Sequence, residues 1–435
     1  MPTTGLVYIV AFFVFLLCGI VIDSAWLVYL YEIHYFLNPQ NRWWGSFLPN
    51  FINSFWISFF LIATYTINRK SYLESKLLYV PQTKWLLSLL CLMLLTGLYA
   101  VWPAKHWEYL VYHIKLLAVM AIVYKVIDSN EKFERMLFFY LFGIFYLGVV
   151  AYSVGRNGYG RVEGIGMVDG FNANDTAAVM TTAIPILIFY FIKGRRWQRG
   201  LSLFALAFVL NGLILINSRG AFLAIIVSTL YLLIAAILSG QIQVKERRQL
   251  SFGLVLGSVL FLYLADQTFW NRMITLRTIS DQATQGEEVG RIYYWLKTFE
   301  LLRAYPFGTG ACGYQYLSPT FLPQYMLTQG LDGVTHQRAV HSTYFQVLAE
   351  YGYLGFALFI GLIASNFRSL RRMRLYFADT DNGWLYCQAL SLEAAFISFL
   401  TASIFIDRFY SVILYWLILL NAIFYNIYYR SKPPT

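Results

Sequence analysis

The chain has 435 residues, of which 59% are hydrophobic, 19% aromatic and only 13% charged, with a mean hydropathy of +0.56. So few polar groups cannot cover a water-soluble globular domain, so the composition points to a polytopic membrane protein. The formal net charge of +11 then reads as a topology signal and not as a nucleic-acid footprint, and no nucleic acid is expected as a partner.

Crossing about 30 Å of hydrocarbon takes about 20 apolar residues as a helix. Twelve runs qualify, near residues 6–31, 48–67, 84–103, 108–127, 135–155, 173–193, 200–217, 220–239, 249–265, 343–367, 386–406 and 410–429. The expected fold is therefore all-α, a single integral membrane domain over 1–435 with about twelve transmembrane helices. The first run lacks the basic n-region of a signal peptide and is too long for its apolar core, so it is expected to stay as a membrane segment. Its length and Asp23 leave open one helix or a kinked or re-entrant pair continuing toward Asn38-Pro39.

Basic residues orient the spans. Twenty of the 33 Lys and Arg fall on one side, in clusters such as Arg69-Lys70, Lys193 to Arg199, Lys245 to Arg248 and Arg368 to Arg374; the short loops of the other side hold six. Excess Lys and Arg mark the cytoplasmic face, so both termini are expected inside a bacterial inner membrane and the long loop outside, in the periplasm. Cys18, Cys91, Cys312 and Cys387 are scattered and offer no internal disulfide framework.

Two outer connections stand out. Residues 156–174 are rich in glycine and end in Asn172-Ala-Asn174-Asp175-Thr176, which suits the N-cap of the following span. Residues 266–342 form the one large periplasmic loop. Within it, Ile292, Trp295, Leu296, Phe299 and Leu302 recur at helical spacing, so Glu287 to Arg303 is expected to be an amphipathic helix on the outer interface. Pro306-Phe-Gly308-Thr-Gly310-Ala-Cys-Gly313 breaks that helix and reads as a flexible turn; it also fits G-x-G-x-x-G, but without the strand a dinucleotide fold needs. Phe321 to Arg338 shows no period.

Three basic residues share one depth: Arg219 opening a span, Arg291 in the loop and His341 opening another span. A cation at a helix N-terminus opposes the macrodipole and is costly unless an anion joins it, whereas N-terminal amides with a guanidinium make a phosphate or diphosphate site. Arg291 also has Glu287 and Glu288 at helical spacing as partners. The helix end and the arginines disfavour an imidazolium at His341, which suits a general base. Asn174, Asp175, Arg338, Tyr344 and Glu350 are candidates to engage the acceptor or support the site. Asp169 and Asp175 are placed to orient an acceptor or a basic residue, and capping suits Asp175. His336 and His341 lack a third ligand, and no metal or other cofactor is expected. Lys115, Asp23 and Glu393 lie in or near apolar runs, where a charge costs about 2.5–3.5 kcal/mol and so is paired or functional.

With these residues placed, the chain resembles the O-antigen ligase and O-antigen polymerase superfamily of bacterial inner-membrane glycosyltransferases. The motifs are Asn217-Ser-Arg219-Gly-Ala221, Gly290-Arg291 with Trp295 before Pro306-Phe-Gly308-x-Gly310, and His341-Ser-x-Tyr344 with Glu350-x-Gly352. The resemblance implies a GT-C-like helical enzyme, a donor glycan on undecaprenyl diphosphate, lipid A–core as acceptor, surrounding membrane lipids as partners, and a metal-independent, inverting transfer. It maps the family's paired arginines onto Arg219 and Arg291 and its essential histidine onto His341. Tyr35-Phe-Leu-Asn38-Pro39-Gln-Asn-Arg42-Trp-Trp-Gly45 is similar to the early segment of ligase relatives associated with exosortase systems, which implies protein or exopolysaccharide acceptors. A protein O-oligosaccharyltransferase and a glycan-repeat polymerase share this donor chemistry. A lipid-linked-glycan flippase instead requires charges along a path through the membrane.

Overall fold

The computed structural model describes residues 2–49, 52–72, 77–158, 160–170, 172–274, 287–323, 327–329 and 335–430, without the side chains of 272, 274, 287–290, 328, 329, 335, 336 and 430. The first apolar run is a pair of helices, α1 (Thr3–Val21) and α2 (Ala25–Leu37). Asp23 makes the break: its carboxylate accepts the Ala25 amide at 2.8 Å and pairs with Lys132 at 2.8 Å. The two helices fold back on each other. A Cβ at Gly19 would lie 2.4 Å from Leu27 Cγ, and the Tyr8 hydroxyl meets His34 Nδ1 at 2.7 Å.

Of the alternatives left open for the first run, one helix or a pair, the pair forms, and it brings the chain to the end of the bundle where Asn38 and Arg42 bond Gly166 and Ile165. Tyr428 bonds Asn130 at the start of α6.

The chain continues through α3 (Ser54–Asn68), capped by Asn53, then α4 (Thr83–Thr96) and α5 (Pro103–Val126). Next come α6 (Asn130–Val154), capped by Ser129, α7 (Ala173–Lys193), capped by Asn172, α8 (Arg196–Ile216), α9 (Arg219–Leu238) and α10 (Val244–Leu264). The large loop carries α11 (Gln267–Ile274), α12 (Glu287–Ala304), α13 (Gly313–Phe321) and a two-residue antiparallel pair, Thr328–Gln329 with Thr335–His336. Then follow α14 (Thr343–Asp379), α15 (Gly383–Ala402) and α16 (Val412–Tyr425). The fold is all-α and polytopic.

Among the described residues, 9 helices are long and apolar enough to cross a membrane, not the twelve expected. The runs at 48–67 and 84–103 yield α3 and α4, of 15 and 14 residues, which at about 1.5 Å per residue fall short of the hydrocarbon thickness. The run at 249–265 yields α10, whose first turns hold Lys245, Glu246, Arg247 and Arg248 and leave a short apolar remainder. Even so, α10 reaches from one end of the bundle to the other: Glu246 pairs with Lys193 at the end of α7, and Asp266, past the far end of α10, pairs with Arg156 beyond the end of α6.

Helices α7, α15 and α16 are buried nearly all round and form the centre. By contrast α1, α9 and α10 expose Val10, Leu17, Leu230, Ile234, Val255 and Leu262, the outward apolar face of a membrane protein. Helix α14 is broken at Gly352, where φ is 64° and ψ −168°, a region essentially closed to other residues. The break frees two carbonyls. Thr309 and Gly310 donate their amides to Ala349 O at 3.0 Å and Glu350 O at 2.8 Å, so the Pro306–Gly313 segment is a docked turn rather than a flexible one. Neither glycine there tolerates a side chain: a Cβ at Gly308 would sit 2.4 Å from Glu350 O, and one at Gly352 would sit 2.4 Å from Pro306 O.

Candidate active site

The α14 N-terminus is tied to the segment that joins α15 to α16. Asp407 accepts the amides of His341 at 2.9 Å and Ser342 at 2.8 Å, which places a carboxylate where the helix presents unpaired N–H groups. Thr343 adds two bonds, from its hydroxyl to Ile406 O at 2.7 Å and from the Arg408 amide to its hydroxyl at 2.9 Å. His341 is held with φ at 55°, a left-handed conformation costly for a non-glycine residue. Its Nδ1 lies 3.9 Å from Asp407 Oδ2, and its ring neighbours Tyr294 with centroids 6.3 Å apart. Burial pushes the Asp407 carboxyl above the usual carboxylate range, and His341 and the two amides pull it back.

Arg408 follows, buried at 7% exposure. Its guanidinium bonds Asp169 O at 2.6 Å and pairs with Asp175 at 3.2 Å. Burial works against this cation, but Asp175 and Asp169 outweigh it and hold its pKa above the ordinary arginine value. Gly170 makes the space, because a Cβ there would lie 1.7 Å from Arg408 Nη2. Asp175 is thus a counter-ion, and the α7 cap comes from Asn172, which accepts the Asn174 amide at 2.9 Å.

On one side of this segment, a small pocket of about 20 Å³ brings together Arg219, Arg291 and Asn174, with Phe405 and Ile406 as its wall. Local sequence explains the approach. Asn217 takes the left-handed turn between α8 and α9 with φ at 57°, and Gly220 lets Phe405 come within 3.0 Å of where its Cβ would be. Helix α12 supplies Arg291 and, one turn later, Tyr294 beside His341 and Trp295 stacked on Phe345 at 5.3 Å. Ser218 and Ala221 also line an apolar groove of about 510 Å³ between α7, α8, α9 and α10.

On the other side lies a cavity of about 880 Å³, to which Asp407 and Arg408 themselves contribute. Its lining is polar and aromatic: Glu108, Tyr109, Tyr112, Lys115, Asp169, Glu350 and Tyr410. Glu350 is buried and accepts the Tyr410 hydroxyl at 2.6 Å and the Cys312 amide at 2.9 Å. Burial drives the Cys312 thiol up to about 12, so it stays protonated. Asp169 orders the wall by accepting the Tyr35 hydroxyl at 2.5 Å and the Val412 amide at 2.8 Å.

The structure therefore gathers Arg219, Arg291 and Asn174 in one pocket, joins His341 to Asp407, and puts Glu350 on the large cavity. Tyr344 turns away, its hydroxyl donating to Leu400 O at 3.0 Å, and the Arg338 amide donates to Ser318 Oγ at 2.8 Å. The expected Glu287 and Glu288 pairing with Arg291 and the side chain of His336 lie outside the described residues. Of the charges in apolar runs, Asp23 and Glu393 are paired, with Lys132 and Arg374, and Lys115 faces the large cavity. Sequence reasoning missed Asp407 as the partner of His341 and weighed only the positive charges around that ring. The available signal was Asp407-Arg408 between two almost uninterrupted apolar runs. Among the described residues no three His, Cys, Asp or Glu side chains gather as a metal-binding group.

Comparison with curated proteins finds no match to this chain. Residues 204–360, which run from α8 through Arg219, Arg291 and His341 into α14, match the family model described as O-antigen ligase, so a domain of the O-antigen ligase and polymerase superfamily is present over that part of the chain.

Proposed function

We propose that this protein is a glycosyltransferase that moves a glycan from undecaprenyl diphosphate to a hydroxyl of the lipid A–core oligosaccharide at the periplasmic face of the inner membrane. The observation that carries the reading is the junction of a guanidinium pocket with an apolar groove through Ser218 and Ala221. A lipid diphosphate has this shape, a doubly anionic head on a hydrocarbon chain. The pocket as it stands has room for about one water, so the head enters as α12 draws away from Phe405, leaving Arg219 and Arg291 on opposite lips.

The acceptor approaches from the polar cavity on the other side of the 405–408 segment. His341, tied to the 405–408 segment through Asp407, takes the proton from the acceptor hydroxyl, and that oxygen attacks the anomeric carbon from the face opposite the diphosphate, inverting the centre. Asp407 fixes the backbone that aims the imidazole and offsets the charge it gains. Arg219 and Arg291 stabilise negative charge growing on the departing diphosphate, the role a divalent ion plays elsewhere.

The test reconstitutes purified protein with undecaprenyl-diphosphate-linked glycan and offers lipid A–core, a protein acceptor, or no second acceptor. Glycosylated lipid A–core is the expected product; modified protein or a lengthened glycan would move the assignment to a protein glycosylating enzyme or a polymerase. His341→Ala should abolish transfer in a folded protein, and Arg219→Ala or Arg291→Ala should lower turnover by about 10²-fold or more. Near wild-type transfer by His341→Ala would overturn the general-base reading.

A further inference from the structure

The pocket between Arg219 and Arg291 has a third polar wall, Asn174, whose orientation is set from behind. The Arg161 guanidinium reaches Asn174 Oδ1 at 2.9 Å. A guanidinium only donates, so the amide oxygen must face Arg161, and the Nδ2 group is the end left for the pocket. Among the described residues that Nδ2 donates to no protein acceptor, while the Asn174 main chain is fixed by its bond to Asn172.

Arg161 is itself anchored. Its Nε donates to Ile216 O at 3.3 Å, its carbonyl accepts the Asn157 amide at 2.8 Å, and the Val162 amide bonds Leu215 O at 3.2 Å. The glycine-rich connection therefore turns tightly, with Gly160 at a φ of 70°, to lay Arg161 along the end of α8 directly behind Asn174. A cation on the oxygen of an amide also polarises its N–H bonds and strengthens them as donors.

We infer that Arg161 is a positioning residue that turns the Asn174 amide outward, so that Asn174 Nδ2 becomes a third donor to the diphosphate between Arg219 and Arg291. This rests on the diphosphate reading of the pocket. It explains why a neutral amide lines this pocket with two arginines in the first turn of α7, where an aspartate would suit the helix dipole but would repel the ligand.

Binding of farnesyl diphosphate to the full-length protein, together with the KM and kcat for the lipid-linked donor, tests the inference, with thermal unfolding of each variant as the control for folding. Asn174→Ala should weaken binding and raise KM by about 10-fold, and Asn174→Asp, which keeps the Arg161 partner but aims an anionic oxygen at the ligand, by about 100-fold. Arg161→Ala should act through Asn174, so that Arg161→Ala/Asn174→Ala is no worse than Asn174→Ala, while Arg161→Lys, still a donor to Oδ1, stays within about 3-fold of wild type. A merely structural role predicts the reverse order, with Asn174→Asp at least as good as Asn174→Ala. That order, or additive losses in the double variant, would overturn the inference. Wild-type protein that fails to bind farnesyl diphosphate at all would instead defeat the diphosphate reading beneath it.

Discussion

Asp407→Asn tests how the candidate base is held. The carboxylate accepts two main-chain amides, from His341 and Ser342, with one oxygen each. Asparagine offers one oxygen and one NH2 group, so one of the two bonds is lost and replaced by two donors facing each other. A hydrogen bond to a charged group contributes about 1.5–3 kcal/mol, but burial disfavours this carboxylate, so removing its charge offsets part of that loss. The variant should therefore be less stable by about 1–2 kcal/mol, and because the affected backbone is that of His341 itself, kcat should fall by about 10²-fold or more at saturating donor. The assay is single-turnover transfer in nanodiscs beside thermal unfolding of the same preparation. The pH response carries a sign. Asp407 has a folded-state pKa above its ordinary value, so its contribution to stability is full at low pH and is lost as pH rises through the folded pKa, while transfer, which needs the carboxylate, falls as pH drops through the same window. Wild-type protein should thus lose activity on acidification without losing stability from this group; Asp407→Asn should lack this pH dependence of stability, while its residual activity still falls on acidification because His341 must be neutral to act as the base. Turnover within twofold of wild type, in a variant that is folded, would refute the view that Asp407 positions His341.

Two further changes probe the frame of the site. Asp175→Asn leaves the buried Arg408 without its closest counter-ion and should destabilise by about 3–5 kcal/mol, whereas Asp175→Asn/Arg408→Met should recover much of that loss in thermal unfolding; equal Tm values for the single variant and wild type would remove the pair from the account. Gly352→Ala forces a Cβ into contact with Pro306 O at a φ of 64° and should cost at least about 1–3 kcal/mol from conformation alone, seen as a lowered Tm, while the same change at the open position Gly257 should be within about 1 kcal/mol of wild type.

Apolar run length made the helical fold and most of the spans readable, because hydrocarbon thickness imposes its period without reference to the rest of the chain. It failed where a run's length and its structure part company. For residues 6–31, length and Asp23 leave one helix or a kinked or re-entrant pair open, and the choice between them rests on the pairing of Asp23 with Lys132, more than a hundred residues away. The runs at 48–67 and 84–103 counted residues that the folded chain spends on turns. At the candidate site, Arg219 and His341 stand out because a charge at the edge of an apolar run is conspicuous by itself, and Arg291 because it lies near the start of an amphipathic pattern in the outer loop. Asp407 does not, because its meaning comes from which helix end it faces. Nor could spacing reveal that Glu350-x-Gly352 and Pro306-Phe-Gly308-x-Gly310, two separate signatures in the sequence, are the two halves of one contact.

The contact between those signatures bears on how the site stays rigid while admitting two large substrates. The 405–408 segment is shared by the arginine pocket and the polar cavity, with Phe405 and Ile406 facing one and Asp407 and Arg408 facing the other. On the proposed reading, a wall only one chain thick separates donor from acceptor, and it cannot be stiffened by packing from either side without filling a site. Its rigidity has to come from its ends and its polar bonds. Thr343, Asp407, Arg408, Asp169 and Asp175 supply those bonds, and the break at Gly352, locked by the Pro306–Gly313 turn, fixes the direction of the first turns of α14 against which the wall is tied. The polar network around Arg408 therefore bears on the placement of His341 as well as on stability. It follows that changes at Gly308 or Gly352, although remote from the arginine pocket in sequence, belong to the same mechanical unit as the base.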